Sequence, residues 1–293
     1  MKLKEWIFTV YSHLPIIREI RQIRDTLRGI YTEIASLKSI EIVRLFDFQL
    51  NEHSRYGDPK RLHRYAFQIN SQNQEDGMIA EIFNRIGIKD HVFVEIGVGD
   101  GNENNTAFLI SQGWQGFWID SSEAVSKTLK TKPNIQNLVK LSISFVNREN
   151  IKTIFRQLDV PIEIDLLSID VDQNTYYIWE SLSQYKPRVV VVEYNSLLPS
   201  HIDWKVAYDP DKVWDYSQNF GGSLKAFENL GKKLGYNLVG CDFSGTNAFL
   251  IRKDLVADKF LSPFNAENHY EPPRYKIDVK RGHKSQILDS FFS

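Results

Sequence analysis

Four short runs of this chain are almost continuously apolar: His91 to Ile96 (HVFVEI), Gly116 to Ile119 (GFWI), Leu166 to Ile169 (LLSI) and Arg188 to Val192 (RVVVV). A weaker fifth, Ile135 to Ser144, lies between the second and third. Strands that lack a polar face are buried on both sides, as happens when crossover helices cover a parallel sheet. Helix-like sequence does fall between them, beginning near Asn105, over Tyr176 to Leu182, and from Ser223, a capping residue, to Gly235, a stop. Tyr236 to Phe243 and Asn247 to Arg252 are separated only by Ser244-Gly245-Thr246, which is hairpin spacing. The expected architecture is α/β: a doubly wound sheet of seven strands that finishes in an antiparallel hairpin.

Ahead of the sheet, apolar residues fall at Ile16, Ile20, Ile23, Leu27, Ile30, Ile34 and Leu37. Steps of four and three in alternation give the 3.5-residue period of a coiled coil. Ile16, Ile23, Ile30 and Leu37 take the d positions, and Ile20, Leu27 and Ile34 the a positions. In a parallel pairing Glu19 faces Arg24 of a partner, and Glu33 faces Lys38. Isoleucine at d, with one leucine at a, favours a trimer or tetramer over a dimer. The competing arrangement folds this helix back on its own domain. Residues 1–46 are thus read as an oligomerisation arm, 47–75 as a connector or cap containing Tyr56-Gly57-Asp58-Pro59, 76–256 as the sheet domain and 257–293 as a tail.

Charge narrows the partners. Lys and Arg total 36 against 37 Asp and Glu among 293 residues, so no global field gathers polyanions, and nucleic acid is not expected. The single cysteine, Cys241, excludes an internal disulfide and suits a cytoplasmic enzyme. Met1 to Leu14 has two lysines before a short apolar run, too brief for a signal peptide. At most, Trp6, Ile7, Phe8 and Tyr11 beside Lys2 and Lys4 would touch the inner face of a membrane peripherally.

The first strand ends in Glu95-Ile96-Gly97-Val98-Gly99-Asp100-Gly101. Backbone without Cβ atoms there lets a ligand approach the carboxyl edge of the sheet. A dinucleotide fingerprint would need its third glycine at position 102, which is Asn102, so a pyrophosphate cradle is disfavoured. Asp100 and Asn102 also read as turn residues. Asp120 ends the second strand, where a carboxylate can accept hydrogen bonds from both ribose hydroxyls, and it opens the helix-like start Asp120-Ser121-Ser122-Glu123. Glu95 can alternatively organise the loop as an acceptor of backbone N–H groups.

With an acid two positions before the first of three spaced glycines, the loop resembles motif I of S-adenosylmethionine-dependent methyltransferases, whose sheet is Rossmann-like. The likeness continues through Ser71-Gln72-Asn73-Gln74-Glu75-Asp76-Gly77, FVEIGVGDGNENNT, GWQGFWIDSS, LLSIDVDQNTYYIWESL, RVVVVEYN and SGTNAFLIRKD. Over roughly residues 71–254 the chain resembles a bacterial group related to the FkbM-type methyltransferases. It departs at Asp170-Val171-Asp172-Gln173, where those enzymes commonly carry Asp-x-Glu-Gly. The resemblance implies S-adenosylmethionine as cofactor, with Glu95, Gly97, Gly99, Gly101, Asp120 and Ser121 binding it. It also implies transfer of a methyl group to a hydroxyl of a small molecule, foremost a sugar of a surface polysaccharide or glycosylated metabolite.

Such a transfer is an in-line displacement, so the acceptor oxygen must be placed and its proton removed. Asp170 and Asp172 stand after the fourth strand, and Glu193, Tyr194 and Asn195 after the fifth. Carboxylates gathered on one edge repel unless protonated, hydrogen-bonded or bound to a cation. Asp170, Asp172, Glu193 and Asn195 offer the oxygen ligands that Mg²⁺ or Mn²⁺ prefers. A similar placement occurs in metal-dependent catechol O-methyltransferase-like enzymes. Asp172 can instead cap the next helix, and Glu193 can pair with a cation or bind substrate. His201, in the loop after the fifth strand, is a candidate base, as less strongly are His269 and His283. Trp204, Tyr208 and Trp214 offer flat faces to a sugar ring. Two other readings stay open: an NAD(P)-dependent oxidoreductase on the same sheet, and a non-catalytic coiled-coil scaffold, against which Gly97, Gly99, Gly101 and Asp120 together argue.

Overall fold

The computed structural model describes residues 15–274, which divide into two units at Glu52 and His53. The expectations for Met1 to Leu14 and for His283 lie outside the described residues. The first unit is one helix, Pro15–Glu52. Proline is tolerated in a first turn because its missing N–H would have no partner there. The helix runs past the expected boundary at residue 46, because the strong breakers, Gly57 and Pro59, come only later. Among the described residues no helix is long and apolar enough to cross a membrane.

The second unit is built on seven strands: β1 Val92–Ile96, β2 Gln115–Asp120, β3 Val139–Ile143, β4 Leu166–Ile169, β5 Val189–Glu193, β6 Tyr236–Cys241 and β7 Asn247–Arg252. Their order is β3-β2-β1-β4-β5-β7-β6. The first five are parallel and β7 is antiparallel to both neighbours. This is the doubly wound, Rossmann-like α/β sheet with its C-terminal hairpin. Val189 to Val192 are fully buried; burying each such side chain contributes about 1.5–3 kcal/mol. Phe155, Trp179 and Phe227 pack one face, and Phe83, Trp114 and Trp118 the other, which is why β5 can be valine without interruption.

One strand starts later than its apolar residues suggest. Lys132 is followed by a helical turn, Pro133–Gln136, so Ile135 is buried from that turn and β3 begins only at Val139. The helix Leu224–Leu234 begins and ends where expected: Ser223 Oγ accepts the Ala226 N–H at 3.2 Å, and Gly235 closes it with φ +94°.

Residues 53–75 of the connector and 257–274 of the tail are parts of the second unit. Glu271 is fully buried, and an unpaired carboxylate there would carry a large desolvation cost. Its oxygens accept from Tyr56 Oη at 2.8 Å, Arg55 at 3.2 Å and Arg274 at 2.9 Å. Tyr194 Oη donates to the Glu271 carbonyl at 2.8 Å, and Arg274 N–H donates to the Ser244 carbonyl at 2.7 Å. His63 and His269 are buried beside this clasp, each pushed down to about 3 by burial first and then by nearby Arg61. His269 is therefore a neutral interior residue, not a base.

Candidate active site at the carboxyl edge of the sheet

Register brings the functional residues level. Ile96 pairs with Ile119 on β2 and with Ile169 on β4, while Ile169 pairs with Val192 on β5. The residues that follow, Asp120, Gly97, Asp170 and Glu193, thus stand in one row at the carboxyl edge. β1 and β4 flank the point where strand order reverses, the usual place for a crevice in such sheets. A cleft of about 480 Å³ opens there, within the range of small-molecule sites.

One wall is the glycine loop. Gly97 has φ +83°, and a Cβ on it would lie 1.6 Å from the Asp170 carbonyl oxygen. Only glycine lets β1 leave the sheet beside β4. Gly99, φ +65°, has nothing within 4 Å of where a Cβ would be. Asp120 holds this loop: one carboxylate oxygen accepts the Val98 N–H at 2.6 Å and the Gly99 N–H at 2.8 Å, and the other accepts the Ser122 N–H at 2.7 Å. Asp120 and Ser121 both line the cleft. Glu95 lies deeper and accepts from the Asn104 side chain, both donors of Thr106 and the Asn105 N–H. Burial raises it to about 7 despite those bonds. Its observed role is to organise Asn104 to Thr106. Asp100 accepts the Asn102 N–H, as a turn residue does.

The opposite wall is Asp170, Asp172 and Glu193. A carboxylate oxygen from each lies within 4.8 Å of the others, and no ion pair among the described residues reaches them. Burial, then the charge of Asp172, raises Asp170 to about 6, while a hydrogen bond with Glu193 pulls the other way. Glu193 is held well above the carboxylate range by burial and then by the charges of Asp170 and Asp172. Burial also raises Asp172. Burial and mutual charge thus both favour a proton held between Asp170 and Glu193. Asp172 has φ +53° and caps nothing; the helix Thr175–Ser181 starts instead at Asn174, and Thr175 Oγ1 takes the Val171 N–H.

Four expected site residues, Asn195, His201, Trp204 and Tyr208, are not brought here. Asn195 turns away: its amide donates to the carbonyls of Gln218 and Phe220 at 2.9 and 3.1 Å, and its oxygen accepts the Leu197 N–H. With its polar atoms engaged on backbone, it holds the 197–222 loop and is not a ligand of the carboxylate cluster. His201 is exposed on that loop and does not line the cleft, so it is not placed as a base. Trp214 does line the cleft, together with Lys212 and Val213. Tyr208 instead donates to Glu149 under the Arg148 guanidinium, 4.0 Å from its ring centroid. Trp204 does not reach the cleft.

The cleft also has residues whose site role the sequence did not single out. Gln72, Asn73 and Glu75 form a rim with Thr246 and Asn247. Buried Glu75 accepts from the Asn247 amide at 2.7 Å and from the Asn73 N–H at 2.7 Å. Both segments belong to the stretches that carry the family resemblance, but nothing in their spacing marks them as neighbours 172 residues apart.

Fold and site together define a Rossmann-like α/β protein with a small-molecule cleft at the switch point of its sheet. No protein-family model matches the chain, and no curated protein does. Among solved structures, the methyltransferase domain of bacterial CtHen1-C is 15% identical, covers 61% of this chain and 97% of its own, and has a TM-score of 0.38. The CurJ carbon methyltransferase is 8% identical over 78% of this chain and 69% of its own, with a TM-score of 0.42. An O-methyltransferase family protein from Burkholderia thailandensis is 9% identical over 61% of this chain and 58% of its own, at 0.38.

Proposed function

We propose that this chain is an S-adenosylmethionine-dependent O-methyltransferase of the FkbM-related group, acting on a hydroxyl of a carbohydrate or glycosylated small molecule. The observation that carries the reading is the convergence of two unlike walls on one cleft: the glycine loop fastened by Asp120, and the hydrogen-bonded carboxylates Asp170 and Glu193. The cofactor fits the first wall, where Gly99 leaves the backbone bare and Asp120 and Ser121 line the cleft. Bound there, it would supply an electrophilic methyl group on a sulfonium.

The chain's own residues then position the acceptor and handle its proton. Asp170, raised to about 6, is ionised at neutral pH and accepts the hydroxyl proton at its carboxylate. Glu193, held well above the carboxylate range by burial and the charges of Asp170 and Asp172, fixes its orientation through their shared hydrogen bond. The three carboxylates also fit Mg²⁺ or Mn²⁺: they are oxygen donors, each with an oxygen within 4.8 Å of the others. Asp170, Asp172 and Glu193 would hold such an ion, whose chemistry is to lower the pKa of a bound hydroxyl. Trp214 offers an apolar face for a pyranose ring.

Titration calorimetry with S-adenosylhomocysteine tests the reading. Saturable binding that Gly99→Val abolishes is expected. Binding of a nicotinamide dinucleotide with none of S-adenosylhomocysteine would establish the oxidoreductase reading, and binding of neither would leave a scaffold.

A further inference from the structure

The helix Pro15–Glu52 carries a surface that the proposed chemistry does not use. Ile20, Ile23, Leu27, Ile30, Ile34 and Leu37 are between 47% and 65% exposed. They form one row, since alternating steps of three and four keep a stripe on one side of a helix underwound to 3.5 residues per turn. The row is bounded: the next a and d positions are Glu41 and Arg44, both exposed and charged. Three heptads of apolar side chains thus lie along one exposed side of this helix.

The flanks state what fits. Glu19 and Glu33 occupy g positions, while Arg24 and Lys38 occupy e positions, and all four are exposed. A parallel second copy sets every Glu against an Arg or Lys. An antiparallel copy sets g against g and e against e, Glu facing Glu and cation facing cation, which is repulsive. Within one copy Arg24 has only its neighbour Asp25, at 2.8 Å on the helix surface, an exposed pair of little worth. The core positions count against two strands. Ile23 and Ile30 at d with Ile20 and Ile34 at a disfavour the two-stranded packing that wants leucine at d, and no asparagine at a enforces a dimer.

We propose that three copies of this chain associate in parallel through residues 16–37, an assembly that does not depend on the methyltransferase reading. Light scattering on the full chain should give three times 34.1 kDa. Leu27→Asp with Ile30→Asp should give 34.1 kDa, with S-adenosylhomocysteine binding and the melting of the sheet domain unchanged. Glu19→Lys with Glu33→Lys should lose the trimer, and adding Arg24→Glu with Lys38→Glu should restore it. A monomeric, dimeric or tetrameric unmodified chain would overturn the proposal. So would a trimer that survives Leu27→Asp with Ile30→Asp, or one indifferent to the twofold charge reversal, as an antiparallel or merely apolar contact would be.

Discussion

The two walls of the cleft follow opposite rules. On the glycine side Asp120 accepts three backbone N–H groups, and Glu95 has donors at both oxygens. On the other side Asp170, Asp172 and Glu193 face one another with no cation among the described residues, and all three are raised. A satisfied acid stabilises geometry; an unsatisfied one stores a preference for a proton, a cation or a hydroxyl. Under the proposed function, the first wall holds and the second carries the chemistry.

The strongest way to break the comparison is Gly97→Ala. With a Cβ 1.6 Å from the Asp170 carbonyl, backbone must move, and a stability loss on the order of 3 kcal/mol is expected. Chemical denaturation measures it; a loss under 1 kcal/mol would mean the two walls are not locked together. Asp170→Asn should instead leave stability and S-adenosylhomocysteine affinity nearly intact while turnover falls about 10²–10⁴-fold. If affinity falls in step, Asp170 belongs to the holding side.

Proton linkage crosses both walls, because burial raises an acid on each. Asp170 is raised to about 6 and Glu95 and Asp242 to about 7, so the folded chain binds protons that the unfolded chain has already lost. Their contribution is fully present below about pH 4 and is lost as pH rises through 6 to 7. The melting temperature should therefore fall between pH 5 and pH 8, and Mg²⁺ or Mn²⁺ should recover part of the loss at pH 8 in the unmodified chain but not in Asp170→Asn. Turnover runs the other way, rising through about pH 6 as Asp170 ionises. The smallest effect is expected at Trp214→Ala, which should raise the acceptor KM roughly tenfold through lost stacking and leave cofactor affinity unchanged.

Most of the sheet was legible because β1, β2, β4 and β5 are buried on both faces, and burial leaves an unbroken apolar run. The glycine loop and Asp170 were legible because they follow those runs directly. Asn195 misled because adjacency to Glu193 says nothing about which way a side chain leaves a strand: Glu193 faces the cleft, Tyr194 reaches back to Glu271, and Asn195 turns into the loop. His201 looked apt by residue type alone, and exposure removes it. Ile135 misled because an apolar residue in a turn after proline buries as well as one in a strand. Glu75 with Asn247, and Glu271 with Tyr56, could not be seen from spacing, since each joins segments that only the closed fold makes neighbours.

The Glu271 clasp makes the domain a closed circuit. Residues 53–65 are tied to 268–274, the Asp76 carboxylate gathers the N–H groups of Ile69, Asn70 and Ser71, and Glu75 crosses to the β6–β7 hairpin. Gln72 and Asn73 at the mouth of the cleft are therefore suspended between two anchors far apart in sequence. Because these links tie residues 53–65 and 268–274 to the cleft rim, losing the one at Glu271 is expected to loosen the entrance while leaving the sheet itself intact.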